Sequence, residues 1–326
     1  MNGTATAAAH PIQGLVKYHG MRDDTLRLPY HDSISVCTAP SRSVTTVAFE
    51  EELPADVYEI DGESVDGSGA DRIGAVLDVI RDRAGIDTRA RLVSENDFPT
   101  NVGLGSSASG FAAAAAAGAA AAGLDCSLPT LSTFARRGSA SAARAVTGGF
   151  SILQSGLNDD DCRSHALETE LADDLRIVVG LVPAYKETAR AHAEAAESHM
   201  FQARLAHIHD QLAAVRDGLR VGEFDRVFSI AEHDSLSLAA TTMTGPSGWV
   251  YWRPATLAIF ETVRSLRESA GIPVYFSTDT GATVYVNTTS DHVGTVEDAV
   301  AECGVETRRW RVGGPASILS SSASLL

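Results

Sequence analysis

Apolar residues recur along this chain with two periods, and the switch between them lays out its elements. Ile34, Val36, Val44, Val47 and Phe49 fall at near-alternating positions around Ala39-Pro40-Ser41, so residues 33–49 read as a pair of strands. Ile73, Val76, Leu77 and Ile80 recur at helical spacing, predicting a helix over 71–84 that ends near Gly85. Residues 89–93 read as a strand. A helix of about 106–122 follows, mostly alanine, which must pack closely against its neighbours. A second helix is expected over 128–144, stopping at Gly148-Gly149, and then strands over 150–154 and 175–183. Beyond that point the pattern changes. Residues 186–219 carry apolar positions three and four apart, as do 223–235, 254–270 and 291–303. Strands are expected at 274–277, 283–286 and 306–312. The economical reading is a mixed α+β chain divided near residue 183 into 1–183 and 184–326.

Composition narrows what such a chain can do. Its 326 residues suffice for a sizeable core in one large domain or two fused ones. The formal net charge is -16, from 42 acidic and 26 basic residues. Lys17 and Lys186 are the only lysines, so 24 of the 26 basic residues are arginine. An acidic, lysine-poor, alanine-rich surface suits a salt-rich cytoplasm, and it argues against a nucleic-acid partner. It also makes each retained lysine a candidate for a specific role. Cys37, Cys126, Cys162 and Cys303 are too dispersed for a metal site or disulfide frame. The N-terminus lacks a charged region before a long apolar run, and the longest apolar run, 111–122, is too short to span a bilayer. A cytoplasmic protein without membrane partners is the expectation. The ten histidines show no zinc-binding spacing.

The most informative segment is Phe98-Pro99-Thr100-Asn101-Val102-Gly103-Leu104-Gly105-Ser106-Ser107-Ala108-Ser109-Gly110. A glycine and serine loop here feeds a helix N-terminus, whose unpaired N–H groups can receive phosphate. It lacks the Gly-Lys-Ser/Thr of a Walker A loop. The pattern P-x-x-x-G-L-x-S-S-A resembles the ATP loop of the GHMP kinase superfamily. Four further islands stand out. They are Lys17-Tyr18-His19-Gly20-Met21-Arg22-Asp23 with Leu26-Arg27-Leu28-Pro29 and Ser33-Ile34-Ser35; Arg136-Arg137-Gly138-Ser139-Ala140-Ser141-Ala142-Ala143-Arg144 with Gly148-Gly149; Lys186-Glu187-Thr188-Ala189-Arg190; and Thr278-Asp279-Thr280-Gly281. In this order the islands resemble the mevalonate diphosphate decarboxylase family of that superfamily, over nearly the whole chain.

The resemblance implies a two-part GHMP fold, with a ribosomal-protein-S5-domain-2-like first half and a ferredoxin-like second half around one active-site cleft. It also implies ATP and Mg2+, a phosphorylated mevalonate as substrate, and a homodimer. A 3-hydroxy acid has no carbonyl to accept the electrons released with CO2. Such an enzyme instead phosphorylates the tertiary hydroxyl, so that phosphate and then CO2 can leave. On this resemblance Asp279 orients or deprotonates the hydroxyl, Lys17 bridges the γ-phosphate and the transferred oxygen, and Arg144 holds the carboxylate. Tyr18, Ser139, Ala140, Ser141, Arg190 and position 21 surround the substrate phosphate. Pro99, Gly103, Leu104, Gly105, Ser106, Ser107 and Ala108 cradle the nucleotide, with Ser107 also a ligand for Mg2+.

Taken singly, the residues admit plainer readings: Asp279 as a turn former, Arg144 as a surface arginine, Ser139 and Ser141 as small helix residues. Arg136 and Arg137 read as surface charge, Lys186 as a helix cap or solvent-facing group, and Ser94, Glu95 and Asn96 as loop architecture. The chain departs from the family's K-Y-W-G-K, having Met21 where a second lysine helps neutralise a diphosphate, and His10-Pro11-Ile12-Gln13 upstream. These changes favour a substrate with one phosphate, mevalonate 5-phosphate, giving isopentenyl phosphate. The diphosphate remains the alternative. A kinase that stops at the phosphorylated alcohol is a third reading, and a nucleotide-binding regulator without catalysis a fourth.

Overall fold

The computed structural model describes residues 3–99, 104–184 and 188–326. Two sheets organise it. The first runs β16-β1-β6-β9-β7-β8, from β1 (Thr4–Ala9), β6 (Ser43–Glu50), β7 (Val57–Ile60), β8 (Glu63–Ser64), β9 (Arg89–Asn96) and β16 (Ser317–Ile318). Its pairs are antiparallel except β7 with β9. The second runs β11-β10-β5-β15-β12-β14-β13, with β2 (Ile12–Val16) also paired to β5 (Ser33–Ala39). Its other members are β10 (Phe150–Leu153), β11 (Ser164–Leu167), β12 (Leu175–Leu181), β13 (Val274–Ser277), β14 (Val284–Thr289) and β15 (Glu306–Val312). A short ribbon, β3 (Met21–Asp23) with β4 (Leu28–Pro29), follows β2.

Helices cover both sheets. On the first lies α2 (Ser106–Ala121); α1 (Gly67–Ala84), which ends at a left-handed Gly85, α3 (Leu128–Gly138) and α4 (Ala140–Thr147) pack on α2, and α3 and α4 also meet β11 of the second sheet. Helix α2 packs on β1 and β6 through a run of buried alanines, so backbone approaches backbone with little side chain between. After the one-turn α5 (Leu171–Asp174) come α6 (Thr188–Glu194), α7 (Phe201–Val221), α8 (Phe224–Met243), α9 (Pro254–Ala270) and α10 (Val293–Ala301). Helices α7 and α8 pack on each other, and α8 also covers β2 and β13, while α9 and α10 back the strands β12–β15.

The strand pair expected over 33–49 is instead two strands in different sheets. Every residue of β5 is buried and it pairs with β2, β10 and β15, whereas β6 pairs with β1 and β9. Periodicity identifies a strand but not its partner. The helix expected over 128–144 is broken at Ser139, whose backbone is extended at φ -160 and ψ 130. A Cβ at Gly138 would sit 2.2 Å from the Phe111 ring, so only glycine lets α3 end against α2 there. The long helix expected from 186 to 219 is α6, a 3-10 turn at Ala195–Glu197, and α7. Between them Ser198 Oγ accepts the Met200 N–H (3.1 Å) and bonds Thr244 Oγ1 (2.6 Å), competing locally with helix. Lys186 and Gly103 lie outside the described residues. Of the cysteines, Cys37 and Cys162 are buried and Cys126 and Cys303 half-buried, all four as free thiols. No helix among the described residues is long and apolar enough to cross a membrane.

Candidate active site

The phosphate loop delivers its helix as the sequence anticipated. Gly105 precedes α2 with φ 78 and ψ 26, a left-handed conformation that favours glycine, and no side chain caps the first turn. Ser106 is half-buried, Ser107 exposed and Ala108 buried, while Leu104 sinks into the core beside Leu15 and Phe98. Pro99 is exposed at the edge of the described segment. Below the loop Ser109 Oγ bonds Ser43 Oγ (2.7 Å), which donates to Asn96 Oδ1 (2.6 Å), so Asn96 serves as loop architecture. An uncapped helix end with an exposed hydroxyl on its first turn suits a nucleotide phosphate with Mg2+ at Ser107.

Lys17 follows directly on β2 and is buried. Its Nζ donates to Ser235 Oγ and Ser277 Oγ, each at 3.1 Å, and lies 3.6 Å from Asp234 Oδ2. Burial pulls its pKa below the ordinary value, and the Asp234 and Asp279 carboxylates push back. Asp279 sits in the turn between β13 and β14, where its Oδ1 accepts the Gly14 N–H at 3.3 Å. A Cβ at Gly14 would lie 2.6 Å from Lys17 Cγ and 3.1 Å from Asp279 Oδ1, so only a bare backbone lets these two groups share the space.

Arg144, on α4, is not at the surface as its plainer reading had it: 2% of it is exposed. Its Nε and one terminal nitrogen have no protein partner. Burial lowers its pKa, against the favourable fields of Tyr18 and Asp279. The guanidinium carbon stands 5.4 Å from the centre of the Tyr18 ring, and Tyr18 Oη bonds Ser141 Oγ (3.1 Å). Ser139 is the extended residue before α4, Ala140 is buried behind it, and both serines are half-buried. Met21 packs with Tyr18, Leu28, Ala140, Ala143, Leu153 and Cys162. His192 stacks on Tyr18 at 5.0 Å. Arg190, by contrast, has an exposed side chain on α6, ion-paired to Glu194 at 2.7 Å.

Two readings need correction or addition. Arg136 is fully buried, not surface charge: it donates to the carbonyls of Cys162 and Leu26 and pairs with Asp159, tying α3 to the segment before β11. Its neighbour Arg137 is half-buried on the same carboxylate at 2.6 Å. Asp234, Ser235, Ser277 and Arg204 around Lys17 gave no motif signal. The available hint was a carboxylate on the apolar face of α8, between buried Ala231 and Leu238. A groove of about 420 Å³ between α1 and α3 contains none of the candidate residues except through its edge at Arg137.

The two sheets, the uncapped α2 terminus and the Lys17–Asp279–Arg144 constellation define a GHMP-fold enzyme, with the two halves expected for that fold. Residues 9–164 match the diphosphomevalonate decarboxylase-like N-terminal domain. A phosphomevalonate decarboxylase of Haloferax volcanii is 67% identical over 321 residues, covering 98% of this chain and 99% of the relative. The crystal structure of mevalonate diphosphate decarboxylase from Staphylococcus aureus superposes with a TM-score of 0.93 at 29% identity, over 98% of this chain and 99% of that one. A structure of MDDEF in complex with MVAPP, AMPPCP and magnesium superposes with a TM-score of 0.92 at 27% identity, over 98% and 100%. The chain belongs to the family of ATP-dependent phosphomevalonate and diphosphomevalonate decarboxylases.

Proposed function

We propose that this chain converts mevalonate 5-phosphate and ATP into isopentenyl phosphate, ADP, phosphate and CO2, with Mg2+ as the metal. The observation that carries the chemistry is Arg144, buried with two guanidinium nitrogens unpartnered in the field of Asp279. A planar carboxylate is the anion that fits such a fork. Asp279 takes the proton of the tertiary hydroxyl and the oxygen attacks the γ-phosphorus, releasing ADP while Lys17 balances the charge that moves. The C3–O bond then breaks with its electron pair leaving on phosphate. Asp279 returns its proton to the departing phosphate, so that cationic character at C3 faces its carboxylate, while the substrate's carboxylate C–C bond supplies the alkene electrons and CO2 departs. The bound nucleotide and metal supply the phosphoryl group and neutralise it, and the α2 terminus with Ser106 and Ser107 would hold them.

The single-phosphate reading rests on position 21. Met21 is half-buried against an apolar cluster that includes Tyr18, where a diphosphate would need a cation. The relative at 67% identity is a phosphomevalonate decarboxylase, which supports the same reading. The diphosphate is the second reading, favoured by the substrate in the names of the structural neighbours. The proposal includes Tyr18, Ser139, Ser141 and Arg190 as phosphate contacts. It also includes two halves, 1–183 and 184–326, whose strands share the second sheet through the pairs β5–β15, β12–β15 and β12–β14. Finally it includes a homodimer working in the cytoplasm.

The deciding experiment measures ADP and CO2 release at high KCl with MgATP, comparing mevalonate 5-phosphate with the 5-diphosphate. Turnover confined to the monophosphate is expected. Preference for the diphosphate would reduce the missing lysine at position 21 to salt adaptation, and ADP without CO2 from either would make the chain a kinase. Met21→Lys is expected to shift preference toward the diphosphate by about tenfold or more, a gain of one charge-assisted contact. An unchanged preference would remove the role given to Met21.

A further inference from the structure

We propose that Asp234 and Arg204 are positioning residues for Lys17, an internal ion pair that fixes the lysine main chain and holds its ammonium at the site of phosphoryl transfer. The inference rests on the reading of Lys17 as the cation at the transferred phosphate.

The geometry is specific to Lys17. Its N–H donates to Asp234 Oδ2 at 2.9 Å, and its carbonyl accepts from an Arg204 terminal nitrogen at 2.6 Å. The same nitrogen donates to Asp234 Oδ1 at 2.9 Å. One ion pair, from α7 and α8, thus satisfies both main-chain polar groups of a residue that has just left β2. The side chain is held by the same helix. Ser235 Oγ accepts from Lys17 Nζ and from the Thr278 N–H (3.1 Å) while donating to the Ala231 carbonyl (2.8 Å). Ser277 Oγ accepts from Nζ and donates to the Gly14 carbonyl at 3.2 Å. Thr278 precedes Asp279, and Gly14 N–H reaches the Asp279 carboxylate. The cage therefore couples the position of the ammonium to that of the base.

Charge gives the cage a second task. Lys17, Arg204, Asp234, Ser235 and Ser277 are all buried. The charged groups facing Lys17 are Asp234 from α8, Arg204 from α7 and Asp279 from the β13–β14 turn, with the buried imidazoles of His19 and His31 in the field of Arg204. Two cations thus meet two carboxylates. Without Asp234, two buried cations would remain against Asp279 alone, and the lysine, unlike arginine, can relieve this by losing its proton.

The test uses the full-length chain and the variants Asp234→Asn, Ser235→Ala and Lys17→Met, assayed for ADP release with MgATP and mevalonate 5-phosphate from neutral to alkaline pH. Thermal melting monitors folding, and calorimetry monitors substrate binding. Removing a carboxylate that favours the charged form lowers the lysine pKa, so the alkaline loss of activity moves to lower pH. For Asp234→Asn the shift is expected to be about one pH unit, with kcat down about a hundredfold and the mevalonate 5-phosphate Kd within about threefold of the parent. A merely structural residue would lower the amount of folded enzyme without moving the pH profile. Ser235→Ala keeps the ion pair and loses the hydroxyl's contacts to Lys17 Nζ, the Thr278 N–H, Ser277 Oγ and the Ala231 carbonyl, so it carries the test if Asp234→Asn does not fold. Its expected signature is a kcat loss of about tenfold with a shift in the same direction. A folded variant with the parent's kcat and pH profile would overturn the positioning role. Lys17→Met separates the two levels. If it is inactive while the cage variants behave as the parent, only this inference fails; if it retains full activity, the reading of Lys17 fails and takes the inference with it.

Discussion

A buried cation is costly unless something answers it, and Arg144 is answered only in part. Tyr18 flanks its guanidinium and Asp279 lies within its field, yet two of its nitrogens have no protein partner. On the proposed role, a bound carboxylate would offset that cost, and binding of the substrate acid would be part of assembling the site. Lysine cannot meet both carboxylate oxygens in one plane. Arg144→Lys is therefore expected to lower CO2 release about a hundredfold or more, comparable to losing one preorganised donor to a reacting anion, with the melting temperature little changed. Measuring CO2 and ADP together checks this. Unimpaired CO2 release would remove Arg144 from the chemistry. The loss of ADP should follow that of CO2 if carboxylate binding also orients the hydroxyl toward Asp279.

At the scale of elements, α2 is held close to β1 and β6 by its alanines, and its N-terminal turn at Gly105–Ala108 is placed with it. Ala115 is fully buried in the core cluster that α2 shares with β1 and β6. Ala115→Leu is expected to cost about 1–3 kcal/mol by overpacking, read as a lower melting temperature, and to weaken MgATP binding by displacing the loop. Unchanged stability and nucleotide affinity would contradict that coupling. The packing of α2 was legible in the sequence because only a helix lying close to its neighbours uses so much alanine. The Gly105 entry and the motif order were legible for a similar reason: each requires particular residue types at fixed spacing. What escaped depends on long-range pairing. Nothing local in residues 33–49 announces that one strand joins β2, β10 and β15 while the next joins β1 and β9. The Lys17 cage draws on residues more than 180 positions away, and a single aspartate on the apolar face of α8 has no sequence period to betray it. The burial of Arg136 escaped because two of its partners are carbonyls, which every sequence supplies equally, and its carboxylate partner Asp159 lies in no motif.

The whole molecule carries a formal charge of -16, and its buried and exposed charges obey different rules. Ion pairs such as Arg226–Asp217 and Arg220–Asp217 are exposed and easily screened, so they do little to offset the repulsion among excess carboxylates. The screening length is about 3 Å in 1 M salt and about 30 Å in 0.01 M, the latter comparable to the size of a domain. Diluting KCl should therefore let the acidic surface repel itself and lower the melting temperature. The Lys17–Asp234–Arg204 group is in another regime. Its members are at most 4% exposed, and external salt reaches them weakly. Activity lost on dilution should accordingly follow the loss of folded protein, with kcat per folded molecule nearly constant. A melting series and a parallel assay across KCl concentrations, with an uncharged osmolyte as control, separate the two effects. A melting temperature independent of KCl would show that the acidic surface is not what salt stabilises. A kcat that falls while the protein stays folded would place a salt-sensitive charge within the catalytic cleft itself, and the exposed Arg190–Glu194 pair would be the first place to look.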